Sequence, residues 1–131
     1  MQLVLYPLAL NPAANPASEV AAQAAWCAGE QGKFWDFHHM LYRRQELWNR
    51  FAAPLERLSD FAKDLSLNTT ALKSCVESGR MQTLVTADRT YSQQLQVNST
   101  PTLFINEQRA VGSQPEGELV RLIRDNPASA E

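Results

Sequence analysis

Two cysteines are all that this chain contains, and at positions 27 and 75 they lie 48 residues apart. It has no Cys-x-x-C pair, which excludes a dithiol centre whose redox poise depends on a close partner thiol. Two cysteines are also too few for a disulfide framework, and their placement does not match the ligand spacing of a zinc site. An excess of charge of one sign is missing as well. Twelve Lys and Arg stand against 14 Asp and Glu, a net charge of -2, so no basic field exists to attract nucleic acid or an anionic membrane. No apolar run approaches the roughly 18 to 20 residues that span a bilayer. The opening Met1–Leu10 is apolar, but it has no basic leader region and is broken by Pro7, so it is expected to hold a strand rather than a signal peptide. What remains, 131 residues of which 44% are hydrophobic and 20% charged, fits one ordinary globular domain.

Leu3, Val4, Leu5 and Tyr6 form a short run without alternation, which suits a strand buried on both faces. Asn11–Pro16 reads as a loop from its Asn-Pro chemistry, with Ser18 as N-cap of a helix over Glu19–Ala28 that Gly29 and Gly32 stop. Phe34, Phe37, His38, Leu41 and Tyr42 recur at helical spacing and predict an amphipathic helix over Lys33–Arg44. Pro54 opens a further helix carrying Leu55, Leu58, Phe61, Ala62 and Leu65 on one face. Asn68 caps the next, Thr69–Ser78, and Gly79 ends it. Met81–Leu95 is a longer helix with a polar interruption at Asp88. Thr102–Ile105 and Arg109–Gly112 are expected as two strands around Asn106–Gln108, followed by a closing helix over Pro115–Arg124 and a polar, frayed tail over Asn126–Glu131. The fold class is α/β with a helical insert.

Four stretches then stand out in order: Leu3–Leu10 before a proline-rich loop, Ala25–His38, Ser99–Asn106, and Val111–Pro115 before the last helix. Together they resemble the DsbA-like branch of the thioredoxin superfamily, the protein thiol-disulfide oxidoreductases, over nearly the whole chain. The resemblance implies a single, N-terminally truncated thioredoxin-like domain over residues 1–131, with its core in residues 1–10 and 80–125 and a helical insert over about 17–79. It also implies that a strand and the Cys-x-x-C at a helix start belong before Leu3. No residue here inherits the thiolate that a helix N-terminus stabilises in that family. The strand missing by this comparison lies between those matching Leu3–Tyr6 and Thr102–Ile105, so these two are expected either to pair directly or to have a second chain between them.

The resemblance makes Thr100 and Pro101 a substrate-contact loop, with a cis X-Pro bond and a backbone that pairs with an extended peptide as an added strand does; a plain turn is the alternative. Cys27 and Cys75 fall on helix faces expected to be buried, as a structural disulfide between the first and fourth helices or as two separate buried thiols. His38 and His39 point about 100° apart on a helix, which argues against a shared metal ion and for a core His38 and a solvated His39. Trp26, Trp35, Phe34 and Phe37 are expected to fill the core. No catalytic residue, metal ligand or cofactor is assigned. The function implied is disulfide exchange on protein or peptide thiols in the periplasm or another extracytoplasmic compartment, without thiol oxidase activity in this chain. The alternative is a non-catalytic peptide-binding or oligomerisation module, with homo-oligomers formed through exposed sheet strands.

Overall fold

A computed structural model describes residues 1–127, and the expected tail beyond Pro127 lies outside the described residues. One compact unit runs Met1–Ser92, and a second begins at Gln93. The element order is α1 (Pro16–Glu30), α2 (Phe34–Arg43), a 3-10 turn (Gln45–Leu47), α3 (Leu55–Asp64), α4 (Thr69–Glu77), α5 (Gln82–Gln94), β1 (Thr102–Ile105), β2 (Gln108–Val111) and α6 (Glu116–Asp125).

The first unit is organised around α1, which packs against α2, α3 and α4. Its buried face is built from Ala17, Ala21, Ala24, Ala25 and Ala28, and these short side chains let the neighbouring helices come close. The larger partners, Phe37 of α2, Leu58 and Phe61 of α3 and Leu72 of α4, fill the space that remains. Each is fully or almost fully buried, which stabilises by roughly 1.5–3 kcal/mol per side chain relative to exposure. Trp48 joins this core after the 3-10 turn, and its indole N–H donates to the Leu41 carbonyl at 2.9 Å, so its one polar group stays paired.

The local signals act as the residue types require, with a shift at each end of α1, which runs through Gly29 to Glu30 instead of stopping at Gly29. Pro16, not Ser18, opens α1, because proline's fixed φ suits the first helical position; the Ser18 hydroxyl instead donates back to the Asn15 carbonyl at 2.7 Å. Asn68 caps α4 by accepting from the Ala71 amide at 2.9 Å, while Gln31 fixes the Asn68 backbone from the end of α1.

The strand expected over Leu3–Tyr6 does not form, nor does its pairing with Thr102–Ile105. Residues 1–9 are irregular, and the sheet among the described residues consists of β1 and β2 alone. The run is apolar, but a strand exists only through ladder partners, and the backbone here has none among the described residues. Tyr6 lies against Tyr91 with ring centroids 5.5 Å apart, whereas Leu3 and Val4 are 67% and 58% exposed.

In the second unit, β1 and β2 form an antiparallel hairpin pairing Thr102 with Val111, Leu103 with Ala110, Phe104 with Arg109 and Ile105 with Gln108. Asn106 makes the turn at φ 53°, a left-handed conformation that asparagine tolerates better than most residues. Strand alternation puts Thr102, Phe104, Arg109 and Val111 on one face and Leu103, Ile105, Gln108 and Ala110 on the other. Helix α6 is amphipathic, with Leu119 and Leu122 half-buried and Val120 and Ile123 exposed. Asn126 ends α6 rather than fraying, its side chain donating to the Leu122 carbonyl at 2.9 Å.

Candidate functional site

The loop Ser99–Thr100–Pro101 is held from its flanks. The Thr102 hydroxyl donates to the Ser99 carbonyl at 2.7 Å, and the Gly112 amide donates to the Pro101 carbonyl at 2.8 Å, which carries the hairpin pairing one step past the strand ends. Gly112 has φ +82°, a backbone conformation that a side chain would strain. Gln114 donates to the Val111 carbonyl at 2.9 Å and closes the other side of the hairpin mouth. Thr100 and Pro101 are exposed, and the peptide bond between them is cis. Among the described residues, neither the Thr100 amide nor its carbonyl has a hydrogen-bond partner.

Arg109 ties the hairpin to the end of α5. Its guanidinium donates to the carbonyls of Leu95 at 2.9 Å and Gln96 at 2.6 Å and stands 5.5 Å from the Phe104 ring centre. At the hairpin turn the Asn106 side chain donates to the Asn126 carbonyl. The loop therefore rests on a braced support while its own backbone stays open, and β1 pairs only with β2 among the described residues. Such an edge can accept an extended polypeptide as a further strand.

Cys27 of α1 and Cys75 of α4 form a disulfide with Cα atoms 5.9 Å apart, and the residues are 1% and 2% exposed. No free cysteine remains. Thiol exchange needs a thiolate that can reach its target, and neither sulfur of a buried, bonded pair supplies one. The bond belongs to the core of the first unit.

Both histidines lie on α2. His38 is half-buried among aromatic rings, 5.0 Å from Tyr42, 5.5 Å from Trp35 and 6.1 Å from Phe34 between centroids. Burial lowers its pKa, and His39 beside it pushes in the same direction. His39 is exposed, and among the described residues no three His, Cys, Asp or Glu side chains are grouped to hold a metal ion. Phe37 is core, Trp26 and Phe34 are partly buried, and Trp35, expected inside, is exposed because it flanks the buried stripe of α2. A shallow cleft of about 250 Å³ on this side is lined by Asp36, His39, Met40, Arg43, Arg44 and Leu65.

Two carboxyl groups on α1 and α5 escape sequence reasoning. Glu19 accepts from Arg89 and from Gln82, each at 2.9 Å, and Gln82 accepts in turn from Gln23 at 2.6 Å. Burial raises the Glu19 pKa, but the hydrogen bonds from Gln82 and Arg89 and the Arg89 charge outweigh it and hold the group below its ordinary value. Asp88 lacks such support. Its Oδ2 and the nearby Trp26 Nε1 are buried without hydrogen-bond partners among the described residues. Burial pushes the Asp88 pKa up, with the Trp26 indole opposing it. The only sequence signal for this site was Asp88 as a polar interruption among the helically spaced apolar positions of α5.

Residues 4–125 match the thioredoxin family. Three curated relatives are named as Na(+)/H(+) antiporters. NhaA 1 of Salinispora arenicola is 33% identical over 76% of this chain and 14% of its own length. NhaA 1 of Mycolicibacterium vanbaalenii is 30% identical over 84% of this chain and 17% of its own. NhaA 3 of Salinispora tropica is 30% identical over 75% of this chain and 14% of its own. The chain thus spans 14% to 17% of the length of these relatives. No helix among the described residues is long and apolar enough to cross a membrane. No solved structure matches. With the family match running from residue 4 to residue 125, across the helices, the proline loop and the hairpin, the chain belongs to the thioredoxin family.

Proposed function

We propose that this chain is a DsbA-type domain that receives extended protein segments along Thr100, Pro101 and the open edge of β1, and that it carries out no thiol chemistry with its own cysteines. The observation that carries this reading is a contrast. The loop backbone at Thr100 is open and exposed on a braced hairpin, while both sulfurs are locked in a buried disulfide. Protein or peptide thiols are then the partners of the parent activity. A persistent buried disulfide favours an oxidising compartment, so the proposed location is periplasmic or otherwise extracytoplasmic.

Amide NMR tests the peptide site. An unstructured, cysteine-free peptide titrated into labelled protein is expected to shift Thr100 and Thr102–Ile105 and to leave α3 and α4 unmoved. Shifts confined to the helical unit, or none at saturating peptide, would contradict the reading.

A second reading comes from the relatives. Because proteins named as antiporters align with three quarters or more of this chain, the domain also suits an extramembrane role beside a cation–proton antiporter. Co-purification with the antiporter of the same organism is its test, and failure to co-purify from crosslinked membranes argues against it.

A further inference from the structure

The shallow cleft of the helical unit carries a charge pattern that neither the core nor the proline loop uses. Its lining comes from α2, from Arg44 just after it and from Leu65 at the end of α3. His39 and Arg43 stand one turn apart on the same side of the helix, and Met40 and Leu65, both partly buried against the core, supply an apolar wall. Arg44 is anchored: its guanidinium donates to Asp64 and lies 5.3 Å from the ring centre of the buried Phe61. Asp36 is paired with Lys33 at 3.0 Å. Arg43 is exposed and has no ion-pair partner among the described residues. Lys33 therefore balances Asp36 and Asp64 balances Arg44, which leaves the cleft one unmatched positive charge, on Arg43, with the imidazole counted as neutral.

The geometry points to a binding site for a small aliphatic monocarboxylate, its carboxylate held by Arg43 and His39 and its stem lying on Met40 and Leu65. Charge sets the class. One unmatched guanidinium offers a planar fork that a carboxylate fills through two parallel hydrogen bonds, whereas a doubly charged phosphate exceeds the charge available. Size sets the limit, because about 250 Å³ falls below the roughly 300–1,000 Å³ of pockets for drug-sized ligands and is too little for a nucleotide or coenzyme. The helix sets the orientation: Asp36 and Arg43 are separated by about 10 Å along the axis of α2, so the carboxylate sits at the arginine end, away from the acidic one. Exposure and solvent screening make the site weak, with an expected dissociation constant of about millimolar.

This site lies wholly in the helical unit and does not depend on the peptide reading of Thr100 and Pro101. Hexanoate titrated into labelled protein at constant ionic strength is expected to shift the Arg43 Nε–H and the Met40 and Leu65 methyl signals along saturating curves, while Thr100 stays unmoved. Hexanamide, which keeps the stem but not the charge, should leave them in place, and acetate and inorganic phosphate should each bind more weakly than hexanoate. Arg43→Gln replaces an exposed side chain, so the urea midpoint should not change, and hexanoate affinity should fall about fivefold or more. No saturating shift at these three residues, equal shifts with hexanamide, preference for phosphate, or hexanoate affinity unchanged in folded Arg43→Gln protein would each overturn the inference.

Discussion

The helical unit and the hairpin unit follow opposite plans. Within Met1–Ser92, alanines on α1 seat Phe37, Leu58, Phe61 and Leu72 in a common core, and a disulfide ties α1 to α4. In the unit beginning at Gln93, Ala110 is the only buried hydrophobic residue among the described residues, and α6 buries none of its side chains fully. Its order comes instead from hydrogen bonds that tether ends: Arg109 to Leu95 and Gln96, Asn106 to Asn126, and Gly112 to Pro101. A unit with a core of its own can be rigid without a partner. One that keeps Phe104 and Val111 exposed is suited to contact, and the proposed binding loop lies there.

The largest expected effect is on the disulfide. Closing a loop of 48 residues contributes about 4 kcal/mol in the chain-entropy account, so Cys27→Ala with Cys75→Ala should lower the unfolding free energy by roughly that amount. Urea titration followed by the tryptophan signal measures it. A loss below about 1 kcal/mol would mean that the helical unit does not depend on the crosslink.

Next comes a matched pair of truncations. Leu72→Ala removes a side chain that is 0% exposed and should cost about 2–5 kcal/mol. Phe104→Ala, on the open face of the hairpin, should fall within about 1 kcal/mol, closer to a surface substitution. Equal losses would erase the distinction between the two units.

The smallest effects concern pH, and their signs oppose each other. The Glu19 pKa is lowered by folding, so the group adds stability above the ordinary carboxylate range, and that stability is lost as pH falls through the folded value. Asp88 has its pKa raised by burial, so stability is lost as pH rises from the ordinary aspartate value through the raised folded one. Glu19→Gln should therefore destabilise at neutral pH and Asp88→Asn should stabilise, with both effects fading in acid. Denaturation at neutral and acid pH reads the two signs, and matching signs would contradict the assigned environments.

Much of the helical unit was legible because its signals are local. The three- and four-residue spacing of Leu55, Leu58, Phe61 and Ala62, and Asn68 as a cap, need no distant partner to act. The hairpin was legible for the same reason, as two short strands expected over Thr102–Ile105 and Arg109–Gly112 on either side of the Asn106 turn. Leu3–Tyr6 misled because strand propensity describes a side chain's suitability and does not supply a ladder. Ser18 was a good capping residue displaced by Pro16, whose ring already fixes a helical φ. The Arg109 brace and the contrast between Glu19 and Asp88 depend on which side chains tertiary packing brings together, and no spacing in the sequence encodes that. Of the proposed site, Thr100 and Pro101 were visible as a turn before a strand, whereas the open backbone at Thr100 needed the structure.

The central claim is a thioredoxin-family domain that handles polypeptide without redox chemistry of its own, and one assay tests it directly. Oxidative refolding of a reduced, disulfide-containing protein should proceed at the uncatalysed rate when this chain is added in stoichiometric amount. Acceleration that survives removal of trace oxidoreductases and is lost in the Cys27→Ala, Cys75→Ala protein would contradict the account, because it would make the buried pair a working dithiol.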